Sequence, residues 1–302
     1  MYDVVVAPPA KGEVRRDDSS FSEALRRVAV RVSGERDAAE RITQAVPNAR
    51  PYVQSLSVVK ADGTIAVGFD RITIEQLLTK AALPIWGRER PAVLVWLRLG
   101  EGNWLNAGST APEREAMERA AQARGLPLVW PAMDAQDLAT ATSLVTAHSP
   151  EQLTASAARY RADAVLFGIA GVDSSGAQTA QFTFVYGDDF AEQLGSPEEG
   201  VHLAADRCAK LLATSAGVRS DITVRVTGIG NLDAYARTLN YLEALSVVRN
   251  VAVEQLQADV LDMRLNVRGD AGVLRRTIAL DRRLVADNSF AADGAMGFRF
   301  AY

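Results

Sequence analysis

The sequence predicts an α/β (α+β) protein made of several modules. Apolar residues with the period of strands alternate along the whole chain with apolar residues at helical spacing. The chain has 302 residues and a 48% hydrophobic content, which is enough for two or three separate cores. Its net charge of −4 lacks the basic excess that phosphate neutralisation needs, so we expect no nucleic-acid partner.

The first module, residues 2–88, has the predicted order βα(α)ββα. Ser20 and Glu23 match a capping box at the start of the first long helix. Asp62–Gly63 is a strong turn signal, which predicts a hairpin between the second and third strands. Thr73 is expected to open the last helix of the module.

The middle module, residues 89–218, is predicted to be an α/β domain with a mixed sheet. Ala92–Leu97 is a continuous apolar run, which is typical of a strand covered on both faces. Ser149 and Gln152 match a second capping box. The polar segment 173–176 predicts a hairpin between two further strands.

The C-terminal module, residues 219–302, is predicted to have the ferredoxin-like order βαββαβ followed by a tail. Asn231 and Asp270 are candidate N-caps for its two helices. The short link Gln257–Asp259 predicts a hairpin, and Leu284–Val285 is short enough for an edge strand.

One strand of this module predicts a candidate interaction face. Its apolar residues point one way and its polar residues the other, as alternation requires. The residues of the candidate face are Asp262, Arg264, Asn266 and Arg268.

Motifs that cover nearly the whole chain, with the most specific ones in the middle module, together resemble a proteobacterial envelope family catalogued as domain of unknown function 2066. The motifs of the middle module are Arg124–Gly125–Leu126–Pro127, Pro131, Asp134, Asp137, Ser156, Arg159–Tyr160, Ala162–Asp163–Ala164–Val165–Leu166 and Gly168. The resemblance implies a periplasmic protein with protein partners in the bacterial envelope, and it brings no catalytic residues. Members of that family usually carry a signal peptide, and the start of this chain does not look like one. We therefore expect the signal to have been removed.

The residues that could carry chemistry each have a simpler structural role. His148 beside Ser149 suggests a base and a nucleophile, but Ser149 already has a capping role. The only other histidine, His202, is too far along the chain to complete a metal site at helical spacing. Cys208 lies in a helical apolar pattern, which favours core packing over reactivity.

The other candidates are turns, caps and core aromatics. Gly228–Ile229–Gly230 resembles a phosphate-binding turn, but Asp233 stands at its third glycine position, so a structural turn is favoured. Asp188–Asp189 could bind a cation, although a solvated hairpin end is the simpler interpretation. Asp134 and Asp137 suit helix capping. The four tryptophans, Trp86, Trp96, Trp104 and Trp130, are expected in the core rather than in a ligand cage.

We therefore predict a non-catalytic periplasmic protein that acts as a protein-interaction scaffold or assembly accessory. The alternative is a small-molecule-binding protein with a cleft in the middle module. An enzyme is the third hypothesis, and a cluster of His148, Asp188 or Asp189 and a serine would favour it. We expect no cofactor, no metal and no transmembrane segment, and the oligomeric state is left open.

Overall fold

The computed structural model describes residues 1–6, 16–59, 64–100, 102–172, 176, 178–215, 217–287, 289 and 294–301. This part of the chain forms three sheets and their flanking helices, which confirms the mixed α/β fold. It divides into two units. One unit contains Met1, Val30–Arg36 and Arg90–Lys210, and the other contains Tyr2–Ala29, Asp37–Glu89 and Leu211–Tyr302. Over the same part of the chain, no helix has the length and apolar content needed to cross a membrane.

The first sheet has three antiparallel strands in the order β1-β3-β2. Its elements, in chain order, are β1 (Asp3–Val6), α1 (Arg16–Ser33), α2 (Ala38–Ala45), β2 (Val53–Val58), β3 (Ile65–Phe69) and α3 (Arg71–Lys80). Val4, Val6, Val67 and Phe69 are buried on one face. The predicted element order is therefore confirmed for this part of the chain, and the predicted turn at Asp62–Gly63 lies outside the described residues.

Two predicted helix starts are wrong. Helix α1 begins at Arg16, so Ser20 lies inside it and is buried. The capping-box pattern misleads here because Glu23 instead pairs with arginines in the following turn. Helix α3 is capped by Asp70, whose carboxylate accepts a 2.8 Å hydrogen bond from the backbone N–H of Thr73.

The second sheet is mixed, as predicted, with the strand order β5-β4-β7-β8-β9 and with β6 also paired to β4. β4 runs parallel to β6 and β7, and the remaining pairs are antiparallel. Its strands are β4 (Val93–Leu99), β5 (Asn103–Trp104), β6 (Leu128–Val129), β7 (Ala164–Val172), β8 (Gln178–Tyr186) and β9 (Asp189–Gly195). Its helices are α4 (Pro112–Arg124), α5 (Ala135–Thr146), α6 (Pro150–Ala157) and α7 (Pro197–Leu212). β9 was not predicted; it follows β8 through a turn at Gly187–Asp188.

Phe182 of β8 is buried in this sheet because two glycines leave room for its ring. A Cβ atom built on Gly168 would lie 2.7 Å from the ring, and one built on Gly200 would lie 2.6 Å from it. Both distances are closer than packed carbon atoms approach. Any larger residue at either position would have to displace the ring.

The third sheet has five strands in the order β11-β12-β10-β14-β13. Its elements are β10 (Arg219–Thr227), α8 (Leu232–Ala244), β11 (Val248–Gln257), β12 (Val260–Arg268), α9 (Ala271–Asp281), β13 (Leu284–Ala286) and β14 (Met296–Phe300). The order βαββαβ is confirmed as far as β13, which is an edge strand as expected. Asn231 and Asp270 cap their helices through 2.8 Å hydrogen bonds.

The segment predicted as a tail is partly a strand. β14 lies between β10 and β13, parallel to β10, with Val226 opposite Phe298. Met296 and Phe298 are buried in the core of this sheet. The predicted ferredoxin-like sheet therefore gains one inserted strand.

Replacing Phe298 with alanine should lower the free energy of unfolding by about 3–5 kcal/mol, because it empties a buried aromatic position on an inserted strand. Val285→Ala, on the neighbouring edge strand, is the control and should cost about 0.5 kcal/mol or less, since Val285 is exposed. Urea unfolding of both variants measures the difference. Equal stability of the two variants would show that β14 is not part of the cooperative core.

Candidate functional site

The catalytic candidates His148 and Ser149 are occupied by local contacts. His148 is exposed, its Nδ1 atom lies 3.2 Å from the carbonyl oxygen of Leu144, and its ring stacks on Phe167 with ring centroids 4.9 Å apart. Ser149 accepts a 3.4 Å hydrogen bond from the backbone N–H of Gln152, and the reciprocal bond completes the predicted capping box. These contacts fit a helix start and bring no carboxylate to the histidine.

The acidic pair at the start of β9 also has a structural arrangement. Asp189 forms a two-pronged ion pair with Arg207 of α7, one contact of which is 2.7 Å long. Asp188 is exposed in the turn before it. Of the two residues, Asp188 alone has the solvent-exposed position that was predicted for the pair.

The acidic residues at the start of α5 form a network in which Asp137 is buried and Asp134 is exposed. Asp134 is the predicted N-cap, and the guanidinium of Arg159 holds the pKa of its carboxyl well below the usual range. Asp137 is buried and accepts hydrogen bonds from Met133 N–H at 2.8 Å and Arg159 at 2.6 Å. The pKa of Tyr160 is raised mainly by burial and to a smaller extent by its hydrogen bond to Asp137. The network fixes the chain ahead of α5.

A second polar cluster surrounds Arg124, whose exposed fraction is only 1%. Its guanidinium donates at 2.7 Å to the carbonyl oxygen of Gly34 and at 2.5 Å to Asp206, and it lies 3.1 Å from Nδ1 of His202. Burial lowers the pKa of His202, and the charges of Arg36 and Arg124 lower it further. His202 is therefore an acceptor for a buried arginine.

The remaining predicted site residues have structural positions. Cys208 is fully buried, and burial raises the pKa of its thiol. Trp86, Trp96 and Trp130 are buried as expected, whereas Trp104 is half-buried. The turn at Gly228–Ile229–Gly230 has a positive φ of 83° at Gly228 and places Ile229 in the core. Over the part of the chain that the structure covers, no three histidine, cysteine or acidic side chains group to hold a metal.

The predicted interaction face on β12 is only partly exposed. Asp262 pairs with Arg225 at 2.6 Å, Arg264 with Glu254 at 2.7 Å, and Asn266 donates to Asp221 at 2.7 Å. Arg268 does not fit the prediction, because it is 7% exposed. Its guanidinium pairs at 2.8 Å with Glu75 of α3, a residue far away in the sequence.

A different surface is exposed in the first sheet, at the edge strand β2. All its residues after Val53 are exposed. Leu56 lies opposite the buried Val67, on the core side of the sheet, yet its exposed fraction is 56%. Val58 is 73% exposed. The strand therefore presents two apolar side chains that its own sheet leaves uncovered.

The backbone N–H and C=O groups of Leu56 and Val58 point away from the sheet. Val59 donates a 2.8 Å hydrogen bond to the carbonyl of Thr64, which fixes the bonding register of the β2–β3 pair. In an antiparallel pair, residues alternate between bonding the neighbour and pointing outward. Ser57 therefore bonds to β3, while the N–H and C=O groups of Leu56 and Val58 point to the free edge.

Two edge strands of the other sheets carry charges that β2 lacks, although β2 also has a register shift, between Val53 and Ser55. β9 contains Asp189 and Glu192, and β11 contains two register shifts as well as Arg249 and Glu254. Charges and bulges on an edge strand discourage pairing with other chains. No charged residue occurs between Val53 and Val59. The sequence showed the alternation of Leu56 and Val58 with serines, but it could not show that β2 is an edge.

Comparison with known proteins corrects the family resemblance. Residues 1–87 match the model of a family described as a domain of unknown function, DUF8605, and the matched segment includes β2. The predicted resemblance to domain of unknown function 2066 is therefore wrong, and no proteobacterial origin is supported. No curated protein matches the chain. The periplasmic location stays a prediction. The family resemblance that implied it is no longer supported.

His202 should make stability depend on pH. The pKa of His202 in the folded protein lies below its ordinary value of 6.5. Neutral His202 therefore contributes fully to the free energy of unfolding above pH 6.5, and this contribution is lost as the pH falls. We expect the fall in unfolding free energy between pH 7.5 and pH 5.5 to be smaller in His202→Gln than in the wild type. Urea unfolding at both values measures it. Between pH 7.5 and 8.5 the unfolding free energies of the two proteins should change equally with pH. If they also change equally below pH 6.5, the prediction is contradicted.

Proposed function

We propose that this chain is a non-catalytic protein-binding module that takes up an extended segment of a partner at the free edge of β2. The observation that carries the proposal is the coincidence at Leu56 and Val58 of exposed apolar side chains with outward backbone groups. Strand addition uses both features, because the backbone supplies hydrogen bonds and alternate side chains supply specificity.

The chemistry of β2 also selects its partner. Six residues of strand span about 20 Å, which suits an added segment of similar length. Since β2 carries no charge, an uncharged segment with apolar residues at alternate positions fits it best. A non-catalytic role is supported by the separate structural contacts of His148, Ser149 and Asp189.

Replacing Leu56 with lysine should weaken partner binding by about tenfold or more, because it places a charge in the apolar contact. Leu138→Lys is the matched control, since Leu138 is 50% exposed but lies on helix α5. A photo-reactive amino acid placed at Ser57 in the full chain should crosslink to the partner, and mass spectrometry then identifies the bound segment. Equal weakening by both lysine variants would contradict the proposal. A crosslink to β2 of a second copy would show that the chain binds itself at this edge and not a different partner.

Proline at Val58 should weaken binding without unfolding the protein, because it removes an N–H group that points to the free edge. Proline at Ser57 is the contrasting variant and should destabilise the sheet, since that N–H bonds to β3. Thermal unfolding separates the two effects. Hydrogen exchange adds a direct test, because the amides of Leu56 and Val58 should become protected only in the complex. No protection there would rule out strand addition.

A further inference from the structure

Arginines converge at one end of the polar face of the five-stranded sheet. Arg219 and Arg268 are direct cross-strand partners in β10 and β12, so their side chains leave the same face. Arg249 lies on the adjoining strand β11, at the register shift between Val248 and Asn250. With Arg71 of α3, these residues form what we call the arginine cluster: Arg71, Arg219, Arg249 and Arg268.

One carboxylate serves this cluster. Glu75 of α3 contacts Arg268 at 2.8 Å and Arg71 at 3.4 Å. The next acidic residue along the face, Asp221, accepts a hydrogen bond from Asn266. Within the described ranges, neither Arg219 nor Arg249 forms an ion pair in contact with a carboxylate, and Glu75 acts on Arg249 only through its charge. Four guanidinium groups against the one carboxylate of Glu75 leave a net charge of +3.

Two further observations indicate that the cluster is incomplete. Arg268 is 7% exposed, and its buried Nε–H has no hydrogen-bond partner within the described part of the chain. Burial, together with the charges of Arg268 and Arg219, lowers the pKa of Arg249. Like charges directly opposite each other on a sheet are destabilising. An anion bound among these residues would relieve the repulsion between Arg219, Arg249 and Arg268.

We infer that the arginine cluster binds a phosphate group in its dianionic form. Guanidinium groups match the oxygens of phosphate with paired hydrogen bonds, and several of them can share one phosphate. A dianion reduces the net charge of +3 further than a single carboxylate does. Arg219 and Arg249 bind the phosphate, and Glu75 holds Arg268 in place beside them. This site does not depend on the proposed use of β2.

The test is a titration of the full chain with inorganic phosphate at constant ionic strength, followed by calorimetry. We expect saturable binding that Arg219→Ala and Arg249→Ala each weaken by about tenfold. Arg264→Ala is the matched control, because Arg264 lies on the same face but pairs with Glu254. It should bind phosphate as the wild type does. O-phosphoserine is titrated in parallel. If it binds more tightly than inorganic phosphate, the preferred ligand is a phosphate ester, and if it binds more weakly, the preferred ligand is free phosphate.

A second measurement needs no variant. Phosphate should protect Arg219 and Arg249 of the wild-type protein from modification by phenylglyoxal, whereas chloride at matched ionic strength should not. Absence of saturable binding, or equal weakening by Arg264→Ala, would overturn the assignment. So would equal protection by chloride, because it would show general screening rather than a phosphate site.

Discussion

The hydrogen-bonding requirement of the backbone governs the arrangement of these sheets. Every strand must pair or hydrate the N–H and C=O groups along both of its sides. β10 satisfies this requirement with β12 on one side and β14 on the other. β2 has β3 on one side alone among the described strands. Among the described strands, β1 is the other edge of the first sheet, and the free side of β2 is the one that combines outward backbone groups with uncharged, exposed apolar side chains.

The requirement also explains β14, one of the two strands that the sequence did not predict. The alternation of Met296, Phe298 and Phe300 was visible in the sequence, but nothing local shows which strand such a short segment will join. β14 is placed by long-range pairing beside β10, and burial of Phe298 depends on that pairing. Local capping signals predicted the starts of other helices, although they failed at Ser20 and Thr73. Asn231 and Asp270 cap their helices as their positions indicated.

The same distinction applies to the functional surfaces. Alternation along β12 correctly placed Asp262, Arg264 and Asn266 on one face of the sheet. It could not predict the burial of Arg268, because Glu75 reaches that residue from a helix almost two hundred positions earlier. The exposure of Leu56 likewise depends on which strand of the hairpin becomes the edge. Periodicity determines the direction of a side chain, whereas tertiary pairing determines what covers it.

Two buried arginines show contrasting solutions to the same electrostatic problem. Arg124 is surrounded by a carbonyl, a carboxylate and a neutral histidine, so its environment supplies acceptors for both terminal nitrogens. Arg268 shares one carboxylate with Arg71 and stands opposite another arginine. The carboxylate of Asp206 balances the charge of Arg124, whereas the arginine cluster keeps a net positive charge, to which the inferred ligand would bind. In both arginines the buried Nε lacks an acceptor within the described part of the chain.

The apolar edge and the arginine cluster should respond differently to salt. Contacts made by Leu56 and Val58 bury uncharged groups, and ions screen these contacts weakly. Binding at Arg219 and Arg249 depends on charge at an exposed face, where the screening length falls from about 10 Å at 0.1 M salt to about 3 Å at 1 M. Raising the ionic strength therefore separates the two surfaces: a partner held through β2 stays bound, whereas a phosphate held by the arginine cluster is released.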